Sequence, residues 1–325
     1  MSKIWVGIAF AIVAATGGFA SAQDYPSRHI TMVMPFSAGG PGDTIARLLA
    51  QGMSTSLKQQ VIVDNTSGAG GSIGSAKVAT SPGDGYSLLL IHISHATNPA
   101  LYPHLRYDPV KDFEPIGLVV ELPSVFVAKK DLPAASFADL IAYVKANQDK
   151  VTYAHAGIGS AAHLCGLLFQ AATNTKMTQI AYRGAGPAMN DLMGGQVDLM
   201  CDQIVNVVGN VQGGAVKAYA VTGGEKAAAL PSLPVASELG LPNFNYKVWY
   251  GLFAPKGTPK PVIDKLADAL KAALEDSVVK ERLAQLGAEP VSTERAKPGA
   301  LAEHLRAEID KWAPIIKAAG VTGAQ

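Results

Sequence analysis

Residues 34–44, Met-Pro-Phe-Ser-Ala-Gly-Gly-Pro-Gly-Asp-Thr, lie between an apolar run at 30–34 and a helix-like run at 45–57. A strand that ends in a glycine turn and passes directly into a helix is the opening half of a βαβ unit, which demands a sheet with helices on its faces. Such a turn aims several backbone N–H groups at one point, where the helix dipole adds roughly half a positive charge. That point suits a small anion. The pattern recurs where Val151-Thr152-Tyr153 leads through Ala156-Gly157-Ile158-Gly159-Ser160 into the apolar positions Leu164, Leu167 and Leu168. Two such loops can face each other across a cleft.

The chain begins Met1-Ser2-Lys3, continues with an apolar run over 4–15 and reaches small residues at Ala20-Ser21-Ala22. A basic start, a short apolar core and an A-x-A site predict a secretory signal peptide over 1–22, cleaved after Ala22. The run is short for a bilayer span of about 20 residues, which weighs against a retained anchor. Cleavage leaves about 300 residues, enough for two domains of ordinary size. No later stretch has spanning length, so no membrane insertion is expected of the mature chain. Lys and Arg total 27 against 26 Asp and Glu; without Lys3 the charges balance, and a nucleic-acid partner would call for a basic excess. In an exported chain Cys165 and Cys201 either pair or stay as two inert buried thiols. They have no close His spacing of the zinc kind, so no metal and no cofactor is expected.

Along the chain, strands are expected at 61–64 and 86–93, with a short helix near 75–80 between them. The run Gly68-Ala69-Gly70-Gly71-Ser72-Ile73-Gly74 fails the dinucleotide fingerprint, because the third glycine would have to stand at Ile73. It is expected to form a tight loop. Residues 98–115 hold scattered prolines and aromatics, and the extended run 116–127 can carry the chain from one domain to another. A second βα series follows: helix 137–146, strand 151–153, helix 163–172, strand 178–182, helix 187–193, strand 197–201, helix 204–211 and strand 217–221. After a proline-marked loop, 248–253 is a strong strand. Helices are expected at 259–276, 278–286 and 298–319, with Leu266, Leu270 and Leu274 marking a buried face.

Taken in order, several segments resemble the receptor family of tripartite tricarboxylate transporters, the Bug-type periplasmic solute-binding proteins. They are Pro35 to Gly40 with Asp43, Asn65 to Gly74, Pro82-Gly83-Asp84-Gly85-Tyr86, and Gly157-Ile158-Gly159-Ser160 with His163. Tyr182-Arg183-Gly184, Gly194-Gly195-Gln196-Val197-Asp198, and Trp249 with Gly251 and Ala254-Pro255 complete the set. The resemblance runs over nearly all of the mature chain. It implies an α/β, type II periplasmic-binding-protein fold: two α/β domains joined by crossover strands, with a ligand cleft between them. The expected division is 23–124 with 249–325 as the first domain and 125–248 as the second. The implied ligands are small carboxylates, including di- and tricarboxylates, amino acids and aromatic acids. The implied partners are the membrane permease subunits, and a monomer is expected.

Carried onto this chain, the first-domain loop is Phe36, Ser37, Ala38, Gly39, Gly40 and Asp43, and the second-domain loop is Gly157 to Ser160 with His163. His155 departs from the small residue expected there, which bears on ligand identity. Backbone amides and the Ser37 hydroxyl supply donors for a carboxylate without a basic side chain. Asp43, which would repel an anion, is assigned mainly to capping the helix and ordering the loop, with a ligand amino group as its other possible partner. Ser160 is read as an N-cap. His163 is read as a donor to a distal carboxylate or a holder of water, with a structural donor as the alternative. Asp202, beyond the strand that ends at Cys201, stands where α/β ligands bind; orienting water or a loop is its other reading. His92, His95 and Asn98 are placed near the same crevice, and His155 on the opposite lobe, as structural or ligand-tuning groups. Arg183 either clamps a second carboxylate or pairs within the protein. A hydrolase is disfavoured because no G-x-S-x-G elbow brings Ser, His and Asp together. A ligand-binding co-receptor for a sensor kinase shares every feature with a transport receptor and stays open.

Overall fold

The computed structural model describes residues 25–323, so the signal peptide expected at 1–22 lies outside the described residues. The first half runs β1 (Ile30–Met34), α1 (Pro41–Leu57), β2 (Val61–Asn65), α2 (Ser72–Ala79), β3 (Ser87–His92), α3 (Ser94–Leu101) and the long β4 (Phe113–Ala128). The second series is α4 (Phe137–Ala146), β5 (Thr152–His155), α5 (Ala161–Thr173), β6 (Thr178–Ala181), α6 (Ala185–Met193), β7 (Leu199–Gln203), α7 (Ile204–Gln212) and β8 (Lys217–Val221). The chain closes with β9 (Lys247–Pro255), α8 (Lys260–Glu275), α9 (Ser277–Gln285), β10 (Glu289–Pro290) and α10 (Pro298–Ala319).

These strands make two sheets that share β4. In the first, β2, β1 and β3 are parallel, β9 runs antiparallel between β3 and β4, and β10 pairs with the other edge of β4. In the second, β6, β5 and β7 are parallel, and β7 and β8 flank the end of β4 antiparallel. The exchange of partners is abrupt. Residues 113–123 of β4 pair with β9, whereas Ser124 to Ala128 pair with Gln203 to Leu199 of β7. The extended run read from sequence thus carries the chain from one lobe to the other, and β9 carries it back.

The apolar core is continuous through both lobes. In the first, Leu88, Leu89, Leu90 and Ile91 are buried on both faces of β3, as strands covered by helices on either side must be. Ile45, Leu49 and Met53 of α1 and Leu266, Leu270 and Leu274 of α8 supply the helical stripes. In the second, Phe126, Phe137, Phe169 and Phe244 meet ring to ring. The Cys165 and Cys201 sulfurs are bonded, tying α5 to β7 with a Cα–Cα distance of 6.1 Å, which settles the pairing left open above.

Two local expectations are corrected. Residues 94–101, read as a strand end followed by a stretch with scattered prolines, form α3 despite Pro99 inside it. Local propensity argues against a helix there; burial of His95, Ala96, Thr97, Asn98 and Leu101 and packing of α10 on α3 supply the stabilisation. The strand expected at 197–201 spans Leu199–Gln203 instead, which brings Asp202 and Gln203 to its carboxyl end.

Candidate functional site

The loop after β1 is held from below. Asn65 Nδ2 donates to the Phe36 carbonyl at 3.0 Å, and the Gly39 N–H donates to Asp43 Oδ2 at 3.1 Å. Asp43 also accepts from Arg47 Nε at 3.0 Å. Burial works against its charge, but the bonds from Arg47, Gly39 and Asn65 prevail and hold the carboxyl below its ordinary range. Asp43 therefore orders the loop, as its position suggested, although the residue capping α1 is Gly40, with Pro41 in the first turn. Across the cleft Ser160 is the N-cap of α5, its Oγ accepting from the His163 N–H at 3.3 Å. The His163 ring turns back, with Nδ1 accepting from the Gly159 N–H at 3.3 Å. No hydrogen bond joins these two side chains as a nucleophile and its base.

One small cavity lies between the loops, lined by Phe36, Ser37, Gly40 and His92 from the first lobe and by Ser160, Ala161, Ala185 and Asp202 from the second. Gln203 and Tyr250 close its floor, with the Tyr250 hydroxyl donating to Gln203 Oε1 at 2.9 Å from one lobe to the other. The space between the lobes is too narrow for a ligand of several heavy atoms, so the lobes are in a closed arrangement. Further contacts cross the rim: the Tyr102 hydroxyl donates to the Ile158 carbonyl at 2.8 Å, and Gly184 lies against Ser37.

Electrostatically the cavity is unusual for an anion site, because no Lys or Arg lines it. Its positive character comes from the N-termini of α1, α5 and α6, whose first residues Pro41, Ala161 and Ala185 all border it. The Ser37 hydroxyl is buried without a partner. His92 stacks on Phe36 with ring centroids 4.5 Å apart, and its Nδ1 accepts from the Ser94 N–H at 3.1 Å. Burial pushes His92 down to about 3, so the ring is neutral; with Nδ1 accepting, the proton sits on Nε2. Asp202 is the one acidic side chain in the lining, and burial raises it to about 6 against bonds from Asn206 and Gln203.

Of the residues singled out in the sequence, the structure gathers Phe36, Ser37, Gly40, His92, Ser160 and Asp202 on this cavity. Ala38 and Gly39 are exposed on the rim near Gly186, and Gly157 approaches Gly70 across it. Asp43, His95, Asn98, His155, His163 and Arg183 do not line it. His95 is buried among Tyr107, Phe113 and Phe253, with Nε2 3.2 Å from the Pro109 carbonyl. His155 and His163 pack on each other, centroids 4.9 Å apart, behind the second loop, and burial lowers them to about 4 and about 3. Arg183 is exposed and makes no ion pair among the described residues. Gln203 and Tyr250 line it and were missed in the sequence. His92 and Gln203 end parallel strands, where ligands of α/β folds collect. Tyr250 was not legible, since only the antiparallel register sets it opposite His92.

Comparison with known proteins places this geometry. Residues 45–321 match the model of the tripartite tricarboxylate transporter family receptor. The chain belongs to that family. A curated relative from Agrobacterium vitis, a UPF0065 protein in the TAR-I ttuE-ttuC' intergenic region, is 49% identical over 302 residues, 93% of this chain and 87% of the relative. Among solved structures, the periplasmic binding protein BugD is 48% identical with a TM-score of 0.90, covering 92% of this chain and 99% of its own. MatC from Rhodopseudomonas palustris, with bound malate, is 40% identical with a TM-score of 0.87 over 90% of this chain and all of its own. The fold is accordingly the two-domain, type II-like fold of these periplasmic receptors, whose members are solute-binding proteins.

Proposed function

We propose that this chain is a periplasmic receptor that closes around a small organic carboxylate and presents it to the membrane subunits of a tripartite transporter. The observation that supports the reading is the convergence of three helix N-termini and an unpartnered Ser37 hydroxyl on one interlobe cavity without a basic side chain. A buried carboxylate must have its oxygens satisfied, and each hydrogen bond to a charged group contributes about 1.5–3 kcal/mol. A few of these match the roughly −8 kcal/mol of micromolar binding once association costs are met. Bound malate in MatC gives the ligand class a precedent. On this reading the signal peptide delivers the chain to the periplasm and is cut after Ala22. The lobes divide near residues 124 and 249, where β4 changes partners and β9 returns the chain to the first sheet.

The test is calorimetry and thermal shift of the mature protein, refolded to strip any carried ligand, against mono-, di- and tricarboxylates and their uncharged amides. An acid that binds and raises Tm while its amide does neither is the expected result. Ser37→Ala should weaken every acid that binds by about tenfold, the worth of one charged hydrogen bond. Equal binding of an acid and its amide, or of no acid at all, would sink the carboxylate reading.

A further inference from the structure

The lining presents a contradiction to any anion. Three helix N-termini attract negative charge, yet Asp202, 2% exposed, is built into the same wall. Asp202 shares this lining with Ser37, Ser160 and Ala185, so a ligand seated between the loops meets its carboxylate.

Asp202 is only partly satisfied by the protein. Its Oδ1 accepts from the Gln203 N–H at 2.8 Å and its Oδ2 from Asn206 Nδ2 at 2.6 Å, which fills two of about four acceptor positions on an ionised carboxylate. No cation comes to it among the described residues. The titratable groups around it are Tyr153 and Tyr250, both raised by burial and by Asp202 itself, and the neutral His92 across the cavity. Beside it, Gln203 spends Oε1 on the Tyr250 hydroxyl, leaving its amide N–H groups to donate. The second lobe therefore offers an acceptor and a donor side by side, next to the amides of α5 and α6.

We propose that Asp202 makes this receptor selective for acids that carry a hydrogen-bond donor, a hydroxyl or an ammonium group, beside the carboxylate held by the helix N-termini. The proposal rests on the carboxylate reading above. A donor fills the open acceptor positions of Asp202, whereas an unsubstituted acid leaves them unfilled and sets apolar carbon or a second anion against them. A site built to pair with a donor discriminates strongly against the analogue that lacks it.

Matched acids decide the matter by titration calorimetry at pH 8, where Asp202 is ionised: succinate, malate and aspartate as one set, and propionate, lactate and alanine as another. The expected result is a hydroxy or amino member bound at least about tenfold tighter than the unsubstituted member of its set. In Asp202→Asn that ratio falls to within about threefold, chiefly because the unsubstituted acid binds tighter, a gain that a damaged fold cannot produce. The hydroxy and amino arms identify which donor is used. Equal affinities within both sets of the wild type overturn the proposal, as does a preference that survives Asp202→Asn. So does tight binding of succinate with uptake of one proton, read from the heats in two buffers, because Asp202 then supplies the missing donor itself. Failure of all six acids to bind overturns the carboxylate reading and this inference together.

Discussion

Gly184 shows how closely the two loops approach. Its φ of 176° is extended backbone open to any residue, so space alone excludes a side chain: an added Cβ would come within 1.9 Å of Ser37 Oγ on the other lobe. With the lobes apart that collision disappears. Gly184→Ala is therefore expected to leave the melting temperature of the unliganded protein nearly unchanged while weakening ligand binding by about tenfold or more, as closure loses contacts from one lobe. An unchanged affinity would mean that the liganded form never brings these loops together. The buried histidines make a second prediction. His92, His95, His155 and His163 are all lowered by burial, to between about 3 and about 4. Unfolded, they take up protons near 6.5. A folded pKa below the unfolded value contributes stability that is present above pH 6.5 and lost as pH falls toward 4. Unfolding free energy should decline below pH 6.5 by up to about 1.4 kcal/mol per pH unit for each histidine that stays neutral. His95→Gln should make the decline shallower; urea titrations between pH 7 and 4.5 with identical slopes for both proteins would contradict it. Asp202, raised to about 6, acts in the opposite sense, its contribution fading as pH rises from 4 through 6.

At the scale of elements, α5 has two duties: its first turn borders the cavity, and Cys165 in its second turn is bonded to Cys201 of β7. The bridge closes a loop of sequence separation 36, which in the chain-entropy picture stabilises the fold by about 4 kcal/mol. Tyr153 reinforces the same joint, its hydroxyl donating to the Ala162 carbonyl at 2.6 Å and accepting from the Cys201 N–H at 3.2 Å. Cys165→Ser with Cys201→Ser should lower the unfolding free energy by about that amount and loosen α5 against β7. Denaturant titration checks the first, and amide exchange over Ala161–Thr173 the second. A double variant as stable as the parent would show that packing and the tyrosine hold the joint without the bond. The loop before α2 is constrained differently. Gly70, at φ +58°, would place a Cβ 2.0 Å from the Ile158 carbonyl of the opposite lobe, so this turn is shaped by the partner it meets.

For the whole molecule, the lobes are joined through β4, whose two ends pair in different sheets, and β9 returns the chain to the first sheet. Trp249 of β9 and Trp312 of α10 both donate to Glu308 Oε2 at 3.1 Å, which fastens the return strand to the last helix. The lobes are also joined at Tyr102–Ile158 and Tyr250–Gln203. A ligand can favour the closed arrangement only by touching both lobes, so small-angle scattering of the mature protein should show a smaller radius of gyration with ligand than without. Gly70→Val, which obstructs the rim without touching the cavity lining, should remain expanded and bind weakly at any ligand concentration that saturates the parent. Full compaction of that variant would remove Gly70 from the closing surface.

The alternation of apolar strands with helices, the two glycine loops and the long run around 116–127 were sufficient to read βα units and a crossover from the sequence, because these patterns are local and each βα unit repeats the same physical demand; the two-lobed receptor fold came from the family resemblance. Ser37, Ser160 and Asp202 were legible for the same reason: they stand at helix starts and strand ends, where such folds present ligand groups. What only the tertiary structure decided was which side chains turn inward. His95 fell on a helix that exists by packing against α10, whereas His92, three residues earlier, ends the strand at the cavity. His155 and His163 found each other behind the loop, and Arg183 faces solvent. Tyr250 and Gln203 meet only because β9 and β7, 47 residues apart at these positions, face each other across one cleft. Strand register and lobe closure are relations between distant segments, and local sequence carries no physical record of them.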